Sequence, residues 1–239
     1  MTALASAGWR TVTLAEFSQR VTHPASPITH REFLLSFDDG YASLAEHVYP
    51  ILADIGFTAT TFLITDYVGR LNTWDVRYTW QRLAHLDWDT IGRWQARGFD
   101  FASHTASHPR LTWLSDGRAA VELERSRETL RHRLGRAALA VAYPFGARDE
   151  RIDRLARAAG YELGFAGVRG AGNGSPLNLP RVPVYVWDAA RVPFGLREDG
   201  LGWVGKTVAH AANRCAVGTS WMLRLTGRGE TGEVLSAES

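Results

Sequence analysis

The sequence contains a single cysteine, Cys215, among its 239 residues. One thiol excludes an intramolecular disulfide framework and a cysteine-rich zinc site, and we interpret it as a small, half-buried apolar residue. No apolar run reaches the roughly 18 residues that a membrane-spanning helix needs, because polar residues interrupt the richest late stretch, 211–225. Residues 1–19 show no basic segment followed by a long apolar run. No secretory signal is therefore predicted, and the default expectation is a cytoplasmic protein, with export by another route left open.

Charge of one sign is also scarce. The formal net charge is +2, and no Lys/Arg-rich run stands out, which argues against nucleic acid as the partner. The chain is 45% hydrophobic and 22% charged, which is typical of a globular protein with a core large enough to hold a rigid site. Its length fits one domain, or one domain with a tail.

Short apolar runs alternate with amphipathic stretches, a pattern typical of repeated βα units. It predicts a single α/β domain, built as a barrel of parallel strands, over residues 30–195. A lead-in helix and loop over 1–29 precede this domain, and a tail with a helix over 196–239 follows it. The predicted strands are 32–37, 58–64, 100–103, 138–143, 161–166 and 179–186. The predicted helices are 41–55, 89–97, 117–134 and 150–159.

Polar side chains follow three of these strands where each strand ends. Asp38 and Asp39 follow the first, His104 and His108 follow the third, and the run 143–146 (YPFG) follows the fourth. Because such barrels place their chemistry at the carboxyl ends of the strands, we expect all three groups to open onto the same rim.

His104 and His108 are spaced i, i+4, which is weak evidence by itself. On one helical turn the two imidazoles would lie on the same face and could reach one cation. A carboxylate would complete a set of three ligands and leave a position open for water, as in catalytic zinc sites. The alternative is a pair of solvent-facing histidines in a turn.

Asp38 and Asp39 are adjacent, so in an extended backbone their side chains point to opposite faces. A division of labour is then natural, with one carboxylate binding the metal and the other lying beside it as a base. The alternative is that Asp-Asp-Gly is only a turn signal at the end of a strand.

Taken together, these runs resemble a known family, the NodB-type polysaccharide deacetylases of carbohydrate esterase family four. Residues 36–40 (SFDDG) are similar to its (T/S)FDDG motif, 104–108 (HTASH) to its H-(S/T)-x-x-H motif, and 143–146 (YPFG) to its third motif. The flanking runs agree in order and spacing, so the resemblance spans roughly residues 8–186.

The resemblance implies a distorted (β/α) barrel of the NodB-homology type that removes N-acetyl groups from N-acetylhexosamine units of a poly- or oligosaccharide. Asp38 corresponds to the family's catalytic base. Asp39, His104 and His108 correspond to its ligands for a divalent metal ion, zinc in the first instance, with cobalt, manganese or nickel as alternatives.

The third motif implies further roles at the same site. The backbone N–H of Phe145 corresponds to the group that helps to hold the oxyanion, and Pro144 and Phe145 correspond to substrate-binding positions. Trp80 lies in a tryptophan-rich connection, together with Trp74 and Trp88, that could form a sugar-stacking wall. Ordinary core packing is the alternative for each of these tryptophans.

The chain departs from the family pattern at two points. The Arg that usually precedes the Pro of the third motif is replaced by Ala142. Arg181 could orient the base in its place, or could be a plain surface arginine. The late Leu-x-His motif, whose histidine protonates the leaving amine, is absent, and the only later histidine, His210, is a poor candidate. The general acid is therefore unassigned.

One sequence pattern suggests a nucleotide-binding loop, but its surroundings argue against that function. The run 200–207 (GLGWVGKT) satisfies the phosphate-loop pattern G-x-x-x-x-G-K-[ST], but no buried strand precedes it and little chain follows. Two other functions stay open: an amidase of the same fold that acts on a small non-sugar amide, and a non-catalytic glycan-binding protein.

Overall fold

The chain is built around one sheet of five parallel strands. The computed structural model describes residues 1–23, 31–73, 82–167, 174–182 and 184. The strands follow one another in chain order across the sheet: β3 (Ser36–Phe37), β4 (Thr60–Leu63), β5 (Asp100–Ser103), β6 (Ala140–Ala142) and β7 (Leu163–Phe165). A separate parallel pair joins β1 (Arg10–Thr11) to β2 (Glu32–Phe33).

A helix lies in each connection between neighbouring strands of the sheet, as parallel strands require. In chain order these are α3 (Tyr49–Asp54), α4 (Trp88–Gln95), α5 (Asp116–Leu134) and α6 (Glu150–Ala158). Two helices precede the sheet: α1 (Thr2–Ser6) and α2 (Leu14–Thr22). None of the described helices combines the length and the apolar character that crossing a membrane requires.

Alternate residues of the strands face two different apolar clusters, as the two-residue period of a strand dictates. Leu63 of β4, Phe101 of β5 and Val141 of β6 pack against the helices in the larger cluster. Phe62 and Ala102 face the other way, into a smaller cluster that Leu14 of α2 covers. β4 to β7 are therefore buried on both faces, and the sheet forms a half-barrel with α2 packed against the smaller cluster.

Several predicted elements are confirmed with shifted ends. α5 matches the helix predicted over 117–134, and Gly135 ends it in the left-handed conformation at φ 69°, which glycine adopts without steric cost. The single strand predicted over 32–37 is instead two short strands, because Glu32–Phe33 pairs with β1 while Ser36–Phe37 pairs with β4. The helix predicted over 41–55 begins as a π-helical turn, Leu44–Val48, before α3.

The end of the chain is described only as far as residue 184. The strand predicted over 179–186 is wrong for most of its described part: Leu179 forms a parallel bridge to Phe165, but residues 180–182 and 184 form no strand. Pro180, which follows the bridge, lacks the N–H that strand pairing needs. The remaining residues of that run and the whole tail over 196–239 lie outside the described residues. The proposed domain boundaries therefore stay predictions.

Candidate active site

The polar residues that follow the strands lie on one rim. Asp38 follows β3, His104 follows β5 and Pro144 follows β6. Since these strands are parallel members of one sheet, their carboxyl ends open on the same side. The predicted barrel rim therefore exists, and it brings side chains more than a hundred residues apart into one cluster.

Three side chains on this rim form a triangle of donor atoms. Nε2 of His104 and Nε2 of His108 lie 3.2 Å apart, and Oδ1 of Asp39 lies 3.5 Å from the first and 3.6 Å from the second. Metal–ligand bonds of about 2.0–2.2 Å at tetrahedral angles place neighbouring ligand atoms about 3.3–3.6 Å apart. This group could therefore bind a divalent metal ion and leave a fourth position open.

The two histidines meet through an irregular turn, and the prediction that they share one helical turn is wrong. Residues 104–108 form no helix, because Thr105 and His108 both adopt the left-handed conformation, with φ of 67° and 66°. The hydroxyl of Thr105 accepts the N–H of His108 at 3.1 Å. Both imidazoles are buried, with His104 2% and His108 8% exposed, so they are not the solvent-facing pair of the alternative interpretation.

The carbonyl of Ala142 fixes the orientation of His104. Nδ1 of His104 lies 2.7 Å from that oxygen and must donate its proton there, which leaves the Nε2 lone pair directed at the triangle. Burial lowers the pKa of both histidines, and the neighbouring His104 lowers the pKa of His108 further. Both imidazoles are therefore neutral at pH 7, which is the form that binds metals.

The Asp38–Asp39 pair forms a turn, so the extended backbone assumed in the opposite-face argument is wrong. Asp39 has a φ of 68°, and its carboxylate joins the histidines while Oδ2 of Asp38 stays 4.0 Å from Nε2 of His104. Gly40 follows with a φ of 72°, and a β-carbon there would lie 2.6 Å from Cδ2 of Leu63. The glycine of the motif is therefore required by both its backbone and its neighbour.

His85, which the sequence did not single out, braces this turn. Its Nδ1 donates to the carbonyl oxygen of Asp39 at 2.8 Å, and its ring stacks on Tyr41 with the centroids 4.9 Å apart. The N–H of Leu86 donates to the carbonyl of Gly40 at 2.8 Å. No local pattern predicts the histidine contact, because it joins residues 46 positions apart.

Arg181 forms a bidentate salt bridge with the Asp38 carboxylate. Nη1 donates to Oδ1 at 2.7 Å and Nη2 donates to Oδ2 at 2.8 Å, the geometry in which a guanidinium binds a carboxylate most strongly. Partial burial raises the pKa of Asp38, but Arg181 and His104 more than offset this, so the pKa lies well below its usual range. The structure thus places Arg181 beside the candidate base, where the family's missing arginine would be expected to act.

The third motif forms a short 3₁₀ turn, Pro144–Gly146, beside His108. Phe145 has a φ of 60°, and its ring meets the His108 imidazole edge-on with the centroids 4.9 Å apart. Within the described part of the chain, the Phe145 N–H donates to no carbonyl or side chain. A β-carbon on Gly146 would lie 2.5 Å from the backbone nitrogen of Gly167, so this turn and the loop after β7 need glycine to pack so closely.

Backbone strain is concentrated at the site. Among the described residues, the non-glycine residues with positive φ all belong to the three motifs: Asp39, Thr105, His108 and Phe145. Each such residue costs about 1–3 kcal/mol and persists only where its surroundings enforce it. Holding the three motifs in this conformation therefore lowers the stability of the folded protein.

Glu122 of α5 is a second residue that the sequence analysis missed, and it hydrogen-bonds to the histidine turn. A signal was available. Ala119, Leu123, Ser126 and Leu130 form the buried stripe of α5, and Glu122 is spaced to lie on that stripe. A carboxylate on a buried helix face predicts a polar partner.

Several residues raised by the sequence cannot be placed. Trp80, His210, Cys215 and the run 200–207 lie outside the described residues, so their roles stay predictions. Trp88 is described, and it is partly buried against the core, which supports the packing alternative for that tryptophan.

Comparison with known proteins gives a consistent result. A family model described as polysaccharide deacetylase matches residues 26–164. YxkH of Bacillus subtilis (strain 168) is 26% identical over 164 residues, which cover 69% of this chain and 54% of that protein. Poly-beta-1,6-N-acetyl-D-glucosamine N-deacetylase of Staphylococcus aureus (strain MRSA252) is 25% identical over 162 residues, which cover 61% and 56%. The chain thus spans little more than half the length of these curated relatives.

Solved structures show the same fold. IcaB from Ammonifex degensii superposes with a TM-score of 0.65 at 26% identity, covering 77% of this chain and 81% of that one. The Streptococcus pyogenes deacetylase PplD, solved in complex with acetate, gives a TM-score of 0.66 at 23% identity over 75% of each chain. The predicted distorted (β/α) barrel of the NodB type is therefore confirmed.

Proposed function

Because the chain belongs to the polysaccharide deacetylase family, we propose that it is a metal-dependent hydrolase that removes N-acetyl groups from N-acetylhexosamine units of a poly- or oligosaccharide. The observation that carries the proposal is the donor triangle of 3.2–3.6 Å edges with an arginine-held carboxylate beside it. The named activity of the Staphylococcus aureus relative, N-deacetylation of a glucosamine polymer, supports the choice of a glycan substrate.

We propose zinc as the ion, with cobalt, manganese and nickel as alternatives. Two imidazole nitrogens and one carboxylate oxygen form a donor set typical of catalytic zinc sites. A divalent ion held by Asp39, His104 and His108 would polarise the acetyl carbonyl and lower the pKa of a water molecule beside it.

Asp38 is suited to accept the proton of the attacking water. Its carboxylate is adjacent to the triangle, at 4.0 Å from Nε2 of His104, yet its oxygens are directed by Arg181. Since its pKa lies well below the usual range, it is fully ionised at neutral pH and ready to act as a base. The low pKa disfavours a proton on Asp38 before the reaction, so Asp38 takes up a proton only as the charge around it changes during the reaction.

The Phe145 N–H is suited to stabilise the oxyanion that forms as the carbonyl carbon becomes tetrahedral. It has no partner within the described residues, and Phe145 contacts the ligand His108. A single donor of this kind is worth about 3–4 kcal/mol of transition-state stabilisation in other hydrolases. The reaction adds water across the amide and gives acetate and a free amine.

The direct test is to incubate zinc-loaded protein with N-acetylglucosamine oligomers and to measure released acetate together with free amine. We expect the wild type to release both in equal amounts and Asp38→Asn to release neither while still binding zinc. Hydrolysis of small non-sugar amides alone would favour the amidase alternative. Glycan binding without acetate release would favour the non-catalytic alternative and overturn the proposal.

The metal site has its own test. We expect His104→Ala and His108→Ala each to weaken zinc binding by at least about 100-fold in calorimetric titration, since each variant loses one of three ligands. His47→Ala, at a side chain that is 76% exposed, is the matched control and should bind as the wild type does. Undiminished binding in both ligand variants would remove the proposed site.

A further inference from the structure

The turn between the two histidine ligands is held by a carboxylate from a distant helix. Oε2 of Glu122 accepts the N–H of Ala106 at 3.0 Å and the N–H of Ser107 at 2.8 Å. Oε1 accepts the hydroxyl of Ser107 at 2.7 Å. The Glu122 side chain is only 14% exposed, so these three bonds are shielded from water and the carboxylate has little freedom to leave them.

The opposite side of the same turn is held by the segment that follows β4. The carbonyl of Ala106 accepts the N–H of Asp66 at 2.9 Å, and the carbonyl of Thr105 accepts the N–H of Thr65 at 3.3 Å. The peptide groups between the histidines are therefore fixed on both sides. On one side the contacts come from the backbone of the segment after β4, and on the other they come from the Glu122 side chain of α5.

This arrangement matters because the turn is strained. Thr105 and His108 both have left-handed backbones, and a short segment with two such residues relaxes unless its neighbours prevent it. Ala106 is fully buried, so without an acceptor its N–H would have to find another partner. Any rotation of these peptides changes the 3.2 Å separation of the two Nε2 atoms.

We propose that Glu122 is a positioning residue of the metal site, whose carboxylate fixes the turn 105–107 and thereby the separation of the two histidine ligands. It does not belong to the donor triangle, and it acts through the backbone N–H groups of Ala106 and Ser107 and through the Ser107 hydroxyl. The inference rests on the proposed function in one respect, that the triangle binds a metal ion, and it is independent of which amide is hydrolysed.

Three substitutions separate reach from charge. Glu122→Gln keeps the length of the side chain and one acceptor oxygen for the two N–H groups, and loses the charge. Glu122→Asp keeps the charge and loses one methylene of reach. Glu122→Ala removes both, while Glu124→Ala, at an exposed position of the same helix, is the matched control for the loss of a glutamate from α5.

The measurement is the zinc dissociation constant from competition with a chromophoric chelator, with the visible spectrum of the cobalt-loaded protein as a report on ligand geometry. Loss of a group that orients metal ligands typically weakens affinity about 10–100-fold. We expect that loss in Glu122→Ala and Glu122→Asp, with an altered cobalt spectrum, and an affinity within about threefold of wild type in Glu122→Gln and Glu124→Ala.

If Glu122→Ala does not fold, the Asp and Gln variants decide. Wild-type affinity in both would overturn the proposal, and so would a loss in Glu122→Gln alone, since that would point to charge rather than reach. Equal losses in both, with an altered cobalt spectrum, would support it, because the turn would then need a carboxylate at this reach. These outcomes are distinct from a failure of the proposed function, which would appear as wild-type protein that binds zinc with this dependence on Glu122 but releases no acetate.

Discussion

Replacing Arg181 should separate the base from the metal site. The guanidinium makes two charge-assisted bonds to Asp38, at 2.7 and 2.8 Å, and within the part of the chain that the structure describes no hydrogen bond joins it to His104 or His108. We therefore expect Arg181→Ala to lower kcat while zinc affinity stays within about threefold of wild type. We expect kcat to change more than KM, since the bonds of Arg181 are made to the candidate base.

The size of the effect follows from the exposure of the pair. Truncating one partner of a buried, hydrogen-bonded charge pair costs about 2–5 kcal/mol. The side chains here are 22% exposed for Arg181 and 35% for Asp38, so solvent screens part of the interaction and about 2–3 kcal/mol is the appropriate range. At about 1.4 kcal/mol for each factor of ten, kcat should fall about 30- to 150-fold.

The pH profile gives a second readout. Arg181 keeps the pKa of Asp38 below its usual value, so its removal raises that pKa, and the base is then protonated at higher pH than in the wild type. The acidic limb of kcat/KM should move to higher pH in Arg181→Ala. Arg181→Lys, which keeps the charge but loses the two-pronged fit, should show a smaller loss of kcat and a smaller shift.

The assay is acetate release as a function of glycan concentration from pH 4 to 9, which gives both kcat and kcat/KM. Arg131→Ala is the control, because Arg131 pairs with a glutamate on the exposed face of α5. Wild-type kcat in Arg181→Ala would refute the assignment of Arg181 to the base. A loss of kcat that is fully explained by lost zinc would refute the separation of the two functions.

Two further predictions concern the scaffold. Gly146→Ala should lower the free energy of unfolding, measured in urea, by at least about 3 kcal/mol, because φ is 61° and the added carbon would lie 2.5 Å from a backbone nitrogen. The control Gly56→Ala, at φ 72° with open space around it, should lower it by only about 1–2 kcal/mol. Equal losses in the two variants would contradict the packing argument. His85→Ala should weaken zinc binding about tenfold by releasing the carbonyl of Asp39, with the exposed His47→Ala as control, and unchanged affinity would show that the turn holds without this brace.

The motif residues could be predicted because each follows a strand whose apolar pattern is local. Asp38, His104 and Pro144 come directly after runs that read as strands, and parallel strands bring their carboxyl ends together whatever the details of the barrel. The end of α5 was predictable for the same reason, since Gly135 terminates a continuous amphipathic stretch. These inferences need only the order of the elements.

The conformation of the turns could not be predicted, because it depends on partners that are distant in sequence. Thr105 and His108 adopt the left-handed conformation, which local preference disfavours for residues other than glycine. The turn that contains them is held by contacts from Glu122 and from the segment after β4. The brace by His85 is equally non-local. Arg181 could be suspected from the sequence, but only the fold distinguishes a contact to Asp38 from a place on the surface.

The contact between Arg181 and Asp38 also orders the assembly of the site in time. The two residues are 143 positions apart, whereas Asp39, His104 and His108 are all present once the first half of the chain has been made. Because chains are synthesised from the N-terminus at about 5–20 residues per second, the metal ligands emerge several seconds before the arginine that orders the base. A nascent chain that has not reached Arg181 would therefore carry the three proposed metal ligands but not the guanidinium that directs Asp38, so we expect the full rate of hydrolysis only after residue 181 has been added.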